Sequence, residues 1–410
     1  MHDPRSVERL KDLLKIPSIS SDGPYNGSYE ASVELLAGWM EEIGMINIRV
    51  TSFAKNKPVL SGTISGTDPS KPALLLNGHY DVVPVAAGKW TRDPFDSPIG
   101  DDGRIYARGT QDMKSVLVQY LEALRHMKAS GYQPCRTIHV SFLPDEEVGG
   151  QDGANLFVNS QLFRDLNVGI ALDEGLANPD NAYSVFWGER ASNWVILKAT
   201  GPAGHGSRFI KDTAIEKITR ILTRIYSHRR MEESKCHHHE MKLGDVLSMN
   251  VTGMRAGVPS SVLRGGFAVN VIPTEAEIAI DIRVPLEIGD IDSIIREQWI
   301  KDETDIEVVY VDKNDHPDPN LTVRPPSEDP WIAAIIKGIE KVNPEVRVDL
   351  DVFPAGTDGR FIRGAGVPCI GFSPIRNTPI LLHDHDEFIH QDVFLEGIQM
   401  YVSIIRELTS

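Results

Sequence analysis

Hydrophobic and polar positions follow two distinct textures along the chain. Up to Trp187, helical and strand periods alternate. Val33, Leu36, Met40 and Ile43 recur at helix spacing, and Ile46, Ile48 and Val50 then alternate as a half-buried strand. Ala73–Leu76 reads as a short buried strand. Met113, Val116, Leu117, Tyr120, Leu121, Leu124 and Met127 mark one face of a helix, and Thr137–Leu143 and Val168–Leu172 read as further strands. Such β–α alternation predicts parallel strands covered by helices on both faces. From Trp194 the texture changes. A strand over Trp194–Thr200 and a helix from Asp212 to Arg230 come first; Ile278, Ile280 and Ile282 then alternate with Glu277, Ala279, Asp281 and Arg283. A helix around Asp290–Ile300 and a strand at Ile306–Val311 complete a small α+β unit with an antiparallel-looking sheet. The Pro-rich stretch HPDPNLTVRPPSEDP reads as a hinge. Trp331–Val342 (helix), Val346–Val352 and Val367–Phe372 (strands) and Val393–Leu408 (helix) then resume the α/β pattern. The predicted fold class is α/β, a mostly parallel sheet flanked by helices. Residues 1–187 and 318–410 form it, and an α+β domain of residues 188–317 is inserted.

Composition narrows the classes. At 410 residues the chain is too long for one compact core, and its 41% apolar content is ordinary. Acidic residues outnumber basic ones 58 to 42, a net charge of −16. A field of that sign argues against nucleic acid or an anionic membrane as partner. No apolar run reaches the ~20 residues that span a bilayer, and the start MHDPRSVERLKDLL lacks the apolar core of a secretory signal. Cys135, Cys236 and Cys369 are few, odd in number and far apart, so neither a disulfide framework nor a cysteine-type zinc site is expected. A cytoplasmic protein is the expectation.

The chemistry gathers behind the strands. Leu74–Leu76 leads into Asn77-Gly78-His79-Tyr80-Asp81, and Ile138–Leu143 into Pro144-Asp145-Glu146-Glu147. Val168–Leu172 leads into Asp173-Glu174-Gly175, and Ile370–Phe372 by a loop into His383-Asp384-His385-Asp386-Glu387. In an open parallel sheet the carboxyl ends of the strands share one edge, where ligands bind. A fifth group, Arg108-Gly109-Thr110-Gln111-Asp112, opens the long helix. Histidines and carboxylates without paired cysteines suit Zn²⁺ and, less selectively, Mn²⁺ or Co²⁺. Asp81 can orient His79, one of Glu146 and Glu147 can bind metal while the other moves protons, and Asp112 can bridge two ions ~3.5–4 Å apart. Each group alone has a bland reading: a solvated Glu-Glu pair, an Asp112 helix cap, an exposed His383/His385 pair. Their joint placement behind buried runs favours a metal site. Spacing leaves open Glu146 against Glu147, Asp173 against Glu174, and His383 against His385. Cys236-His237-His238-His239-Glu240 has metal-binding types but follows a charged helix and is expected to be an exposed loop. Neither Gly201–Ser207 nor Ala355–Gly366 has phosphate-loop spacing, and no G-x-S-x-G elbow occurs.

As a set these motifs carry a resemblance. GHYDVVP (78–84), YARGTQDMK (106–114), PDEEVGG (144–150), ALDEG (171–175), GHGSR (204–208), NVIP (270–273) and LLHDHDE (381–387) occur in one order over nearly the whole chain. The sequence resembles the zinc-dependent metallopeptidase family that holds aminoacylases, carboxypeptidase G and carnosinases, and ALDEG and LLHDHDE resemble its aminoacylase branch most. Position by position, the resemblance implies His79, Asp112, Glu147, Glu174 and His383 as ligands of two Zn²⁺ per subunit, with Asp112 bridging. It implies Asp81 as the carboxylate behind His79 and Glu146 as general base. It also implies an inserted domain that forms a homodimer and lends His205 to the partner's site. Asn270, Arg283, Gly356 and Thr357 follow as substrate contacts. The implied activity is hydrolysis of N-acyl-L-amino acids; a dipeptidase of the same family is the rival. A catalytically silent scaffold would be expected to have lost a ligand or the base, and none of those positions is altered. Ser115 stands where the family commonly has glycine, and extra residues fall around Ser234–Leu243.

Overall fold

The computed structural model describes residues 5–86, 88–237, 241–261, 266–314 and 326–410. By internal contacts the chain divides into two compact units. The first comprises Met1–Gly188, Pro317–Asp351 and Thr357–Ser410; the second comprises Glu189–His316 and Val352–Gly356. The last five residues are a segment that the hydropathy pattern does not set apart.

The first unit is built on an eight-stranded sheet in the order Ile46–Ala54, Lys57–Ile64, Ile138–Leu143, Ala73–His79, Val168–Asp173, Cys369–Phe372, Ala182–Glu189, Arg347–Phe353. Its four central strands, from Ile138–Leu143 to Cys369–Phe372, run parallel. The Ile138–Leu143 and Ala73–His79 strands are buried at every position, as strands covered on both faces must be. Antiparallel neighbours flank this centre: Ile46–Ala54 on Lys57–Ile64, Lys57–Ile64 on Ile138–Leu143, and Ala182–Glu189 on Cys369–Phe372.

Helices cover the sheet. In Lys114–Ala129, all the predicted inward residues from Val116 to Met127 are buried. Ser28–Ile43 buries Val33, Leu36, Met40 and Ile43 and ends at Gly44, whose φ of 74° supplies the left-handed cap. Pro330–Val342 begins at Asp329, whose carboxylate accepts from the N–H groups of Trp331 and Ile332, with proline in the first turn. Gln391–Leu408 packs in the same core, with Ile398, Tyr401, Ile404 and Ile405 buried.

One predicted face is corrected. Ile46 and Val50 are 50% and 56% exposed rather than inward-facing. Their strand lies at the sheet edge and its pairing slips between Ile46 and Arg49 and between Ser52 and Ala54, so alternation does not map onto a buried face.

The second unit holds a four-stranded antiparallel sheet in the order Ser248–Ala256, Glu275–Val284, Ala191–Thr200, Ile306–Lys313. Ile278, Ile280 and Ile282 point into its core, where Ile218, Ile221 and Ile225 of the long helix Ala214–His237 pack. That helix carries Cys236 and His237, so those two residues are helical rather than in the expected loop; 238–240 lie outside the described residues. The helix expected near Asp290–Ile300 is a short turn, Ile291–Ile294, continued by a wider one over Ile295–Trp299. Most of the proposed hinge, 316–325, lies outside the described residues. Among the described residues, no helix is long and apolar enough to cross a membrane.

Candidate metal centre

The parallel centre determines which side chains meet. His79 is the last residue of its strand and pairs in register with Leu143, so the Glu146-Glu147 turn emerges beside it. Glu174 follows directly on Asp173, the end of the next strand, whose register puts Asp173 opposite Gly371. Gly371 lies so close that a Cβ there would sit 2.5 Å from the Glu174 carbonyl, and a larger residue would displace Glu174. Asp112 lies just ahead of the buried helix Lys114–Ala129, and His383 sits on a loop with a φ of 59°.

Two groups of potential ligand atoms result, each within 4.8 Å: His79, Asp112 and Glu174, and Asp112, Glu147 and His383. Asp112 belongs to both. Its Oδ1 is 3.0 Å from His79 Nε2, and its Oδ2 is 3.4 Å from His383 Nε2. His79 Nε2 also lies 3.5 Å from Glu174 Oε2, and His383 Nε2 lies 3.0 Å from Glu147 Oε2. Asp173, Glu146 and His385 are in neither group. One oxygen of Asp173 accepts a hydrogen bond from Asn77 Nδ2 instead, at 3.3 Å.

Asp81, fully buried, does more than stand behind His79. Its carbonyl oxygen lies 3.0 Å and its Oδ1 3.5 Å from His79 Nδ1. Its two carboxylate oxygens also accept the backbone N–H groups of Glu146 and Glu147, each at 3.3 Å. One carboxylate thus fixes the ring and the acidic turn together. The turn is held from its other side as well. Tyr29 donates to Asp145 Oδ1 at 2.8 Å, Lys57 pairs with Asp145, and Arg360 donates to the Gly149 carbonyl at 2.8 Å.

The electrostatics call for a cation. Burial pushes the Glu146 carboxyl well above the carboxylate range; His79 opposes this, while Glu147, Asp358 and Asp112 add repulsion. Burial pushes Glu147 up to about 7, with repulsion from Asp112 added and His383 opposing. Glu174 is raised well above its usual range by burial and by Asp112. Burial would lift Asp112 too, but its bonds to His383 and His79 hold it below the usual range. Those bonds to Asp112 and Glu147 raise His383 to about 10. Burial disfavours a charged His79 ring, yet Glu174 and Asp112 outweigh it and raise the group. Four carboxylates crowded against two imidazoles are costly to ionise without positive charge. Glu147 Oε1 is buried with no hydrogen-bond partner, on a side chain 3% exposed. An unpaired buried oxygen in a nitrogen and oxygen donor set fits a divalent metal.

Other candidates lie elsewhere in the chain. In the second unit His205 is exposed, its Nδ1 2.7 Å from Ser207 Oγ. The short strand Gly204–His205 pairs with Val271–Ile272, and Gly206 N–H donates to the Asn270 carbonyl at 2.8 Å, so His205 and Asn270 are neighbours. Arg283 grips Asp281 through Nε (2.8 Å) and Nη2 (3.1 Å). Gly356 ends the short segment of the second unit; Thr357 begins the next stretch of the first, is buried, and accepts from Gly359 N–H at 3.1 Å. Ser115 is fully buried in the helix.

Residue-type reasoning passed over Glu387. It sits in the LLHDHDE motif, is fully buried, and accepts from the loop that carries Asp112. The available signal was an acid placed directly before the apolar pair Phe388-Ile389.

An α/β unit with two carboxylate–histidine groups sharing one aspartate at the carboxyl edge of its sheet defines a candidate metallohydrolase class. The model of "Peptidase family M20/M25/M40" matches residues 75–407, and the chain belongs to that family. Aminoacylase-1 of Dictyostelium discoideum is 41% identical over 98% of this chain and 97% of its own length. Aminoacylase-1 of Mus musculus is 42% identical over 99% and 95%. Among solved structures, the M20 family metallo-carboxypeptidase Sso-CP2 of Sulfolobus solfataricus matches with a TM-score of 0.71 at 17% identity, covering 98% of this chain and 99% of its own. Human carnosine dipeptidase 1 matches at 0.64 and 16%, covering 99% and 97%. These two show the shared fold. The chain is a hydrolase acting on amides.

Proposed function

We propose that the chain hydrolyses N-acyl-L-amino acids in a metal-dependent reaction, releasing a carboxylate and a free amino acid. What supports the chemistry is Asp112, whose two oxygens face two separate ligand groups. What supports the substrate class is the identity of about two residues in five with aminoacylase-1 proteins over nearly the whole chain. In this reading His79, Asp112 and Glu174 hold one Zn²⁺, and Asp112, Glu147 and His383 a second. The metal supplies Lewis acidity toward the amide carbonyl and makes water a competent nucleophile near neutral pH.

The chain's own residues do the rest. Glu146 takes the proton of the attacking water and delivers it to the leaving nitrogen as the C–N bond breaks. Asp81 keeps His79 and the Glu146 turn in fixed relation. His205 donates to the oxygen on which charge develops. Arg283 exchanges its Asp281 partner for the substrate carboxylate, with Asn270 beside it, while Gly356 and Thr357 contact the substrate. The cytoplasm is the proposed location, in keeping with three cysteines that form no disulfide with one another. A panel of N-acetyl-L-amino acids and dipeptides tests the substrate class. N-acetyl substrates are expected to be cleaved with the higher kcat/KM; a consistent preference for dipeptides would overturn that class.

In the same reading the second unit serves a homodimer, and each site is completed by His205 of the other subunit. His205→Ala is expected to leave metal bound and to cost kcat more than KM, the pattern of a transition-state donor. Mixing the His205→Ala and Glu146→Gln proteins under subunit exchange gives each mixed dimer one intact site. About a quarter of wild-type activity should then return if pairing is random. Confirmed exchange without recovery would rule out a shared site.

A further inference from the structure

The loop before the buried helix and the loop carrying His383 are joined by a reciprocal clamp. Glu387, fully buried, reaches into the first loop. Its Oε2 accepts from Arg108 Nη1 at 2.8 Å and from Gly109 N–H at 3.1 Å. Its Oε1 accepts from Gln111 N–H at 2.6 Å, the Thr110 hydroxyl at 3.3 Å and Asp112 N–H at 3.4 Å. Gln111, 2% exposed, reaches the opposite way. Its Nε2 donates to the carbonyls of Phe388 (2.9 Å) and Pro379 (3.1 Å), and its Oε1 accepts from Leu381 N–H at 3.0 Å. Between these anchor points stands His383.

The two ligand groups depend on this clamp unequally. His79 ends one strand and Glu174 directly follows the strand that pairs parallel to it, and both are buried. The His383 side chain is 53% exposed, on a loop that no sheet ladder holds at that point. The 3.4 Å approach of His383 Nε2 to Asp112 Oδ2 depends on how its loop lies against the Asp112 loop, with Glu147 Oε2 3.0 Å from the same nitrogen. We infer that Glu387 and Gln111 are positioning residues that preorganise the Asp112–Glu147–His383 group selectively, and so set the affinity of one of two metal ions. The inference rests on the reading of Asp112 as shared ligand.

Zn²⁺ titration of metal-free protein against a competing chelator, resolving two binding steps, tests it. His383→Ala removes a ligand and identifies the step that belongs to its group. Gln111→Met keeps volume and leaves the Glu387 contacts in place; Glu387→Gln keeps shape and removes the charge. Both variants should weaken the His383-dependent step by about tenfold or more, the usual effect of losing a residue that orients a ligand. The other step should change less than about threefold. Ile339→Ala, a core truncation in the Pro330–Val342 helix, serves as a control and should lower Tm without separating the two steps. Equal weakening of both steps, weakening of the other step, or no change overturns the clamp. If Glu387→Gln fails to fold, Gln111→Met decides. A wild-type protein that binds fewer than two ions per chain would instead refute the shared-ligand reading itself.

Discussion

Glu146→Gln is expected to lower kcat by about 10²–10⁴, the scale of a lost general base, with metal content unchanged. Glutamine matches glutamate in size but cannot accept the proton of the attacking water. Glu146 is outside both ligand groups, while its neighbour Glu147 lies 3.0 Å from His383, so only the neighbour's substitution should touch the metal. The Asp81 bonds to this turn go to backbone N–H groups and survive either change. Metal analysis alongside steady-state kinetics separates the roles. An active Glu146→Gln protein, together with a Glu147→Gln protein that keeps its metal and is inactive, would reverse the assignment.

Asp112→Ala is expected to remove both ions at once and abolish activity, because it takes an oxygen from each group. Asp112→Asn retains one oxygen and is expected to keep one ion and lose the other. A single group at this edge would respond differently: His79→Ala or His383→Ala would each empty it completely. On the present geometry each histidine variant keeps the ion held by the other group. Metal counted after dialysis decides between these outcomes. An Asp112→Ala protein with full metal content would contradict the shared role.

How far this was legible in the sequence depends on burial. The four parallel strands stand out because strands covered on both faces are largely apolar, even with His139 and Ser141 inside one of them, and the polar residues that close them, such as His79 and Glu174, contrast with that background. The same logic fails at the edge. Ile46 and Val50 alternate correctly but face outward, since an edge strand with slipped pairing has no single buried face. Lys57–Ile64 escaped because its buried interior includes Pro58, Ser61 and Gly62, which do not read as a strand. Within the candidate centre, residue types pointed to ligands, but spacing left Glu146 and Glu147 equivalent. What separates them in the fold is a three-residue turn after the left-handed Asp145 (φ 65°), a conformation that chain spacing does not encode. Glu387 was missed for a related reason. Its partners are mostly backbone N–H groups far away in sequence, which no residue pattern announces.

The central claim is that metal held by the Asp112-linked groups enables hydrolysis of N-acyl-L-amino acids. Its most direct test is to strip the protein with a chelator, titrate Zn²⁺ back, and follow release of free amino acid from an N-acetyl-L-amino acid. The metal-free protein should be inactive, with activity rising as Zn²⁺ is bound and levelling off at two ions per chain. Full activity in the metal-free protein, or metal-loaded protein that releases no amino acid from any N-acetyl substrate, would contradict it.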